Sequence, residues 1–320
     1  MRVETGHIAH MRLGNIRSKI LRPLMAFAVG GFVSSAQAED YRPDILVLGD
    51  SQLSFGSGPV FLDFFQNLSE NCGVDALADT SGDIVAEDRV AVIGVRSTSL
   101  HSWVAKSGRS KGSVCWVDKK WNANAGSYGT VNNTKNKYVQ IGRGEQYQFC
   151  NKGSSPFQAM FKDGYYDPKL LVMSFLGNAA QRWAFNKESA IKDVRATMDQ
   201  LPPDLACVFM TSAPSYRKKS VNLRRKAQEN LKAAFAETGH RCSFVDGFTD
   251  QTIAANQGNA SHFRRKKNGR VKDPFHPNQR AARKFFELQK PHLCRAVLEQ
   301  LSPAASMLAM IEQKQWPPLR

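Results

Sequence analysis

Five short apolar runs, at residues 45–48, 90–93, 170–175, 205–210 and 242–245, recur along the chain with amphipathic stretches among them. Continuous apolar runs of this length suit strands covered on both faces. The stretches at 59–70, 187–200, 220–238 and 277–289 space their apolar residues with a helical period, and several open on Pro, Ser or Asn, residues that start helices. This alternation predicts an α/β three-layer sandwich around a central parallel sheet. At 320 residues and 42% apolar content the chain can bury one such core without dividing, and it shows no internal repeat. In open parallel sheets ligands bind beyond the carboxyl ends of the strands, so the residues just after each strand are where chemistry is sought.

One stretch, about 107–167, breaks the alternation. It is too long for an ordinary connection. Trp116, Trp121, Tyr128, Tyr138, Tyr147 and Phe149 make it too aromatic for a disordered linker, so an ordered insertion is expected. Those aromatics either pack it onto the main body or line a groove for sugar rings.

The first 38 residues stand apart. Arg12, Arg17, Lys19 and Arg22 precede an apolar run at 24–33 and then Ala36-Gln37-Ala38, the pattern of a secretory signal peptide. The run is short for a permanent span, so residues 39–320 are expected as one exported domain, periplasmic or secreted. All six cysteines fall in that part, and an even count in an oxidising compartment favours disulfides. Cys115 and Cys150, which bracket the loop-like stretch, are the first pair expected; Cys207, inside an apolar run, is a disulfide partner or a buried thiol. No cysteine spacing fits a metal or redox motif, and no metal or cofactor is called for.

A net charge of +16 implies an acidic partner. No zinc-finger, RNA-binding or basic-zipper pattern accompanies it, so nucleic acid is not expected. The runs 217–219, 224–226 and 264–267 are basic, and such runs are ordinarily solvated faces. The last, Arg264-Arg265-Lys266-Lys267, differs by lying just ahead of a possible catalytic loop, where it would favour anionic substrates.

After the first strand comes Gly49-Asp50-Ser51-Gln52, a serine on a strand-to-helix turn. After the third stands Gly177-Asn178, whose amide can donate to an oxyanion. Late in the chain is Asp273-Pro274-Phe275-His276-Pro277, where the carboxylate can accept from one ring nitrogen while the other faces outward. His101, His240, His262 and His292 have no partners at metal-ligand spacing and read as surface or capping residues.

Gly49-Asp50-Ser51, Gly177-Asn178 and Asp273-x-x-His276 occur in the order and approximate spacing of the SGNH, or GDSL-type, hydrolases, which the chain resembles over residues 44–289. The resemblance implies a flavodoxin-like sandwich in which Ser51 is the nucleophile, His276 the base and Asp273 its orienting partner. It also implies an oxyanion hole built from the Ser51 N–H, Asn178 and a second-block glycine N–H. For that last place Gly94 matches in type, with Arg96 or Ser97 as alternatives. Gln52 and Ala179 depart from the commonest family residues without removing a catalytic group. The activity implied is that of an exported esterase acting on an acylated, anionic envelope or extracellular carbohydrate. An O-acyltransferase using the same acyl-enzyme, or a non-catalytic glycan-binding protein on the same fold, are the alternative readings.

Overall fold

The computed structural model describes residues 43–74, 89–106, 138–141, 153–162, 166–239 and 241–301, the 138–141 segment by its backbone. Six strands form one sheet: β1 (Ile45–Gly49), β2 (Val90–Val95), β3 (Tyr138–Ile141), β4 (Leu170–Ser174), β5 (Ala206–Met210) and β6 (Ser243–Val245). Their order across the sheet is β3-β2-β1-β4-β5-β6. All neighbours are parallel except β3, which runs antiparallel to β2 in the register Val92↔Ile141 to Val95↔Tyr138. With β3 set aside, the five parallel strands follow the doubly wound 2-1-3-4-5 order of flavodoxin-like sheets. The chain leaves β1 for β2 on one side and then crosses to β4 on the other. A crevice therefore opens at the carboxyl ends of β1 and β4.

Side chains alternate between the faces of a strand, and here both sets are apolar. Leu46, Leu48, Ile93, Leu171, Met173 and Phe209 enter one core, while Ile45, Val47, Val92, Leu170, Val172 and Val208 enter the other. Helices cover both faces: α1 (Gly58–Gln66), α2 (Leu68–Cys72), α3 (Leu100–Val104), α4 (Ala180–Phe185), α5 (Lys187–Met198), α6 (Val221–Ala236), α7 (Asp250–Asn256) and α8 (Gln279–Leu301). Trp103 of α3, Trp183 of α4, Val194 of α5 and Leu231 and Phe235 of α6 fill the first core. Phe61, Phe64 and Phe65 of α1 and Phe285, Phe286 and Leu293 of α8 fill the second, with the Phe61 and Phe286 ring centroids 4.6 Å apart.

The strand ranges read from sequence match within two residues at each end. The last helix, expected to stop near 289, runs on to Leu301 with Pro291 inside it. Buried Leu293 and Val297 hold its second half against the sheet despite the backbone hydrogen bond a proline removes. The 107–167 stretch contributes the edge strand β3, and Phe157 from its end packs near Trp103 with centroids 6.0 Å apart. Residues 107–137, 142–152 and 163–165 of that stretch, with the expected Cys115–Cys150 pair, lie outside the described residues, as do residues 1–38. Among the described residues no helix is long and apolar enough to cross a membrane.

Two disulfides are present, and Cys207 is a disulfide partner rather than a buried thiol: it joins Cys242, linking β5 to the start of β6. Cys72–Cys294 ties α2 to α8 across 222 residues of sequence. Both bridges fit a protein that matures in an oxidising compartment. A link closing so long a loop removes much of the unfolded chain's freedom. The Cys72→Ser/Cys294→Ser variant is therefore expected to lose about 2–5 kcal/mol of stability in urea unfolding. An unchanged midpoint and slope would show that the second core holds α8 without the link.

Candidate active site

β1 ends at Gly49, and the chain turns through Asp50, Ser51 and Gln52 directly into helix. A Cβ on Gly49 would stand 2.8 Å from the Ser174 carbonyl oxygen of β4, and one on Gly94 would stand 2.8 Å from the Ser54 amide nitrogen. The two glycines are register partners on β1 and β2, so together they form a bare seat on which the turn rests. Asp50 fastens the turn from beneath: its Oδ1 accepts the Gln52 N–H at 2.8 Å and its carbonyl accepts the Leu53 N–H at 3.2 Å. Gln52 donates from Nε2 to the Ala213 carbonyl at 2.9 Å and so ties the turn to the segment after β5.

Asp273 and His276 arrive on the returning arm of a hairpin whose bridges are Phe263↔Pro277 and Arg265↔Val271. The Tyr216 N–H donates to the Pro274 carbonyl at 2.9 Å, anchoring this loop to the edge of the sheet. His276 Nδ1 lies 2.7 Å from Asp273 Oδ2, and His276 Nε2 lies 2.9 Å from Ser51 Oγ. Burial works to raise the Asp273 pKa. The hydrogen bond and charge of His276, with the Phe275 and His276 N–H groups on Oδ1, outweigh it and hold the carboxyl below its usual range. An ionised Asp273 can only accept, so in the neutral ring Nδ1 carries the proton and Nε2 presents its lone pair to the Ser51 hydroxyl.

A cavity of about 470 Å³ opens over this row and is lined by Ser51, His276, Gly177 and Asn178 among others. Asn178 Nδ2 donates one hydrogen to the Thr98 carbonyl at 2.8 Å; an amide nitrogen has a second hydrogen to give. Of the expected oxyanion donors, Ser51 and Asn178 line the cavity, whereas Gly94 does not. Gly94 is held inside β2 between Gly49 and Val139, and its missing side chain serves the seat beneath the turn. Arg96 and Ser97 line the cavity in its place. Ser97 has φ of 61°, the one positive value at a non-glycine among the described residues, a strained backbone of the sort found where a loop is shaped for function.

Further contacts complete the site. Phe55 stacks on His276 with ring centroids 4.1 Å apart, and the Arg96 guanidinium lies 3.6 Å from the centre of the same Phe55 ring. Phe55 can reach back because Gly56, at φ of 143°, breaks the helix just after it. Burial, helped by the charge of Arg264 and opposed by Asp273, lowers the Arg96 pKa. Arg264, Arg265, Lys266 and Lys267 are exposed on the hairpin before Asp273 and do not line the cavity. Arg224, read as part of a solvated run, is instead buried and lines it. A helical-wheel reading could have found it, since it shares the buried stripe of Ala227, Gln228, Leu231 and Phe235. Of the histidines set aside, His262 is buried with Nδ1 2.8 Å from Asn256 Oδ1, and His101 Nδ1 lies 3.3 Å from Asp193. Among the described residues no group of His, Cys, Asp and Glu could hold a metal ion.

Asp50 lies fully inside the protein, and burial raises its pKa to about 6 despite the Gln52 N–H and the charges of His276 and Arg224. A carboxyl shifted upward in this way favours the fold most when protonated, and the contribution is lost as pH rises through about 6. From 3.8 to about 6 the shift corresponds to roughly 3 kcal/mol. Asp273, shifted downward, acts in the opposite sense and only in more acid solution. The stability of Asp50→Asn relative to wild type should therefore grow by about 2–3 kcal/mol between roughly pH 4 and 7.5, read from denaturant midpoints. A difference independent of pH would show that Asp50 does not titrate in that window.

No family model matches the chain, and no curated protein matches it. Among solved structures it is similar to a DUF4886 family protein from Bacteroides uniformis ATCC 8492, at 13% identity and a TM-score of 0.39 over 86% of this chain and 97% of that one.

Proposed function

We propose that this chain is an exported serine esterase that removes an acetyl or other small acyl group from an acylated envelope or extracellular carbohydrate. The observation that carries the reading is the row of Ser51 Oγ, His276 Nε2, His276 Nδ1 and Asp273 Oδ2, with contacts of 2.9 and 2.7 Å. In this reading His276 takes the Ser51 proton as Oγ attacks the acyl carbon, forming the C–O bond of a tetrahedral intermediate. The Ser51 N–H and the second hydrogen of Asn178 face the developing oxyanion. His276 then gives the proton to the departing sugar oxygen, and water repeats the sequence to free the acid and regenerate Ser51. The resemblance to SGNH hydrolases supports the same assignment. The two disulfides fit a periplasmic or secreted setting. The exposed Arg264–Lys267 arm suits an anionic polymer passing over the site.

Ser51→Ala should lower kcat/KM for 4-nitrophenyl acetate by at least about 10³ with the fold intact, and His276→Ala should cost a similar factor. Because the two act as one unit, the double variant should be hardly worse than either single one. Wild-type turnover in Ser51→Ala would end the esterase reading. Replacing residues 264–267 together by Gln should leave 4-nitrophenyl acetate turnover unchanged and weaken turnover of an acidic acetylated polysaccharide by about tenfold at low salt, less at high salt. Equal ratios of the two rates in mutant and wild type would mark the arm as a solvated face.

A further inference from the structure

Arg224 stands in the first turn of α6, is 7% exposed, and lines the same cavity as Ser51 and His276. Its Nη1 is buried and has no hydrogen-bond partner. No described ion pair joins it to a carboxylate. A guanidinium has five N–H donors and no means of becoming neutral at ordinary pH, so burying it without acceptors is strongly unfavourable unless something else supplies them. Asp50, the carboxylate that shares the cavity and feels the charge of Arg224, spends Oδ1 on the Gln52 N–H of its own turn. The second guanidinium lining the cavity, Arg96, presents its face to Phe55. Arg224 is thus a buried cation in the cavity wall with an unsatisfied donor.

Gly177 also lines the cavity, and a Cβ placed there would lie 3.5 Å from Arg224 Nη2, so residue 177 sets no side chain against that edge of the guanidinium. A planar fork of donors matches a carboxylate in two parallel hydrogen bonds. The volume of about 470 Å³ suits one or two sugar-sized units.

We propose that Arg224 binds a carboxylate of the substrate beside the scissile ester, so that the site takes O-acylated acidic sugars of the uronic-acid class in preference to neutral ones. This rests on the esterase reading for the ester but not for the anion, and the two can be tested apart. Wild-type protein is titrated calorimetrically with glucuronate, glucose and inorganic phosphate, and the glucuronate titration is repeated on Arg224→Met and Arg224→Lys. Glucuronate should bind at least about tenfold more tightly than glucose or phosphate. Arg224→Met should reduce glucuronate to the level of glucose, and Arg224→Lys should retain part of the preference as a charge without the fork. Equal binding of glucuronate and glucose by the wild type overturns the proposal with no variant needed. Retention of the preference in folded Arg224→Met overturns it too, and tighter binding of phosphate than of glucuronate overturns the choice of a carboxylate. Protein that binds glucuronate through Arg224 yet hydrolyses no ester would keep this site and end the esterase reading. Protein that hydrolyses 4-nitrophenyl acetate without distinguishing the sugars would do the reverse.

Discussion

Where β1, β2 and β4 meet at their carboxyl ends there is no room for a side chain at Gly49 or Gly94: either Cβ would stand 2.8 Å from backbone of a neighbouring segment. Because both positions are bare, the turn after β1 settles onto the sheet, Leu53 is buried, and Ser51 begins a helix whose start Asp50 and Gln52 fasten from two directions. The hairpin arm bearing Asp273 and His276 then needs to meet one fixed hydroxyl, and it does so at 2.9 Å. Side chains from segments 225 residues apart can be held at hydrogen-bond distance only if both supports are rigid. The parallel sheet is one support; the bridges at Phe263 and Arg265 and the Tyr216 contact stiffen the other.

Much of this was legible in the sequence because it depends on local patterns. Strands buried on both faces must be apolar throughout, and the runs at 45–48 and 170–175 read as such without knowledge of their neighbours. Asp273 and His276 are three residues apart, so their pairing is a short-range matter. What failed to show depends on distant partners. Gly94 resembled an oxyanion donor by type, yet its role follows from lying beside Gly49 in the register. Arg224 looked solvated in a basic run because its burial is decided by where α6 docks, although the stripe it shares with Ala227 and Leu231 carried a hint. Nothing local announced that the Phe55 ring would reach His276, or that the sheet would gain β3 from the long insertion.

The charges around Ser51 divide by depth. Asp50 is buried beneath the turn with its pKa raised by loss of water, while Asp273 is part-exposed and held ionised by the imidazole and two N–H groups. The two carboxyls thus stand in opposite environments, Asp50 giving up its proton only near pH 6 and Asp273 in more acid solution. Arg224 and Arg96 add positive charge to the cavity wall, and the exposed arm at 264–267 adds more outside it. An approaching polyanion would meet the arm first, at long range, and the buried guanidinium last, at contact.

The central claim is that Ser51 is a nucleophile activated by His276. The most direct test is the intact mass of the protein, with peptide mapping, after exposure to a fluorophosphonate that reacts with activated serines. A single adduct on Ser51, absent from the His276→Ala variant, is the predicted result. No adduct on the folded wild type, or one that forms equally well without His276, would contradict the account.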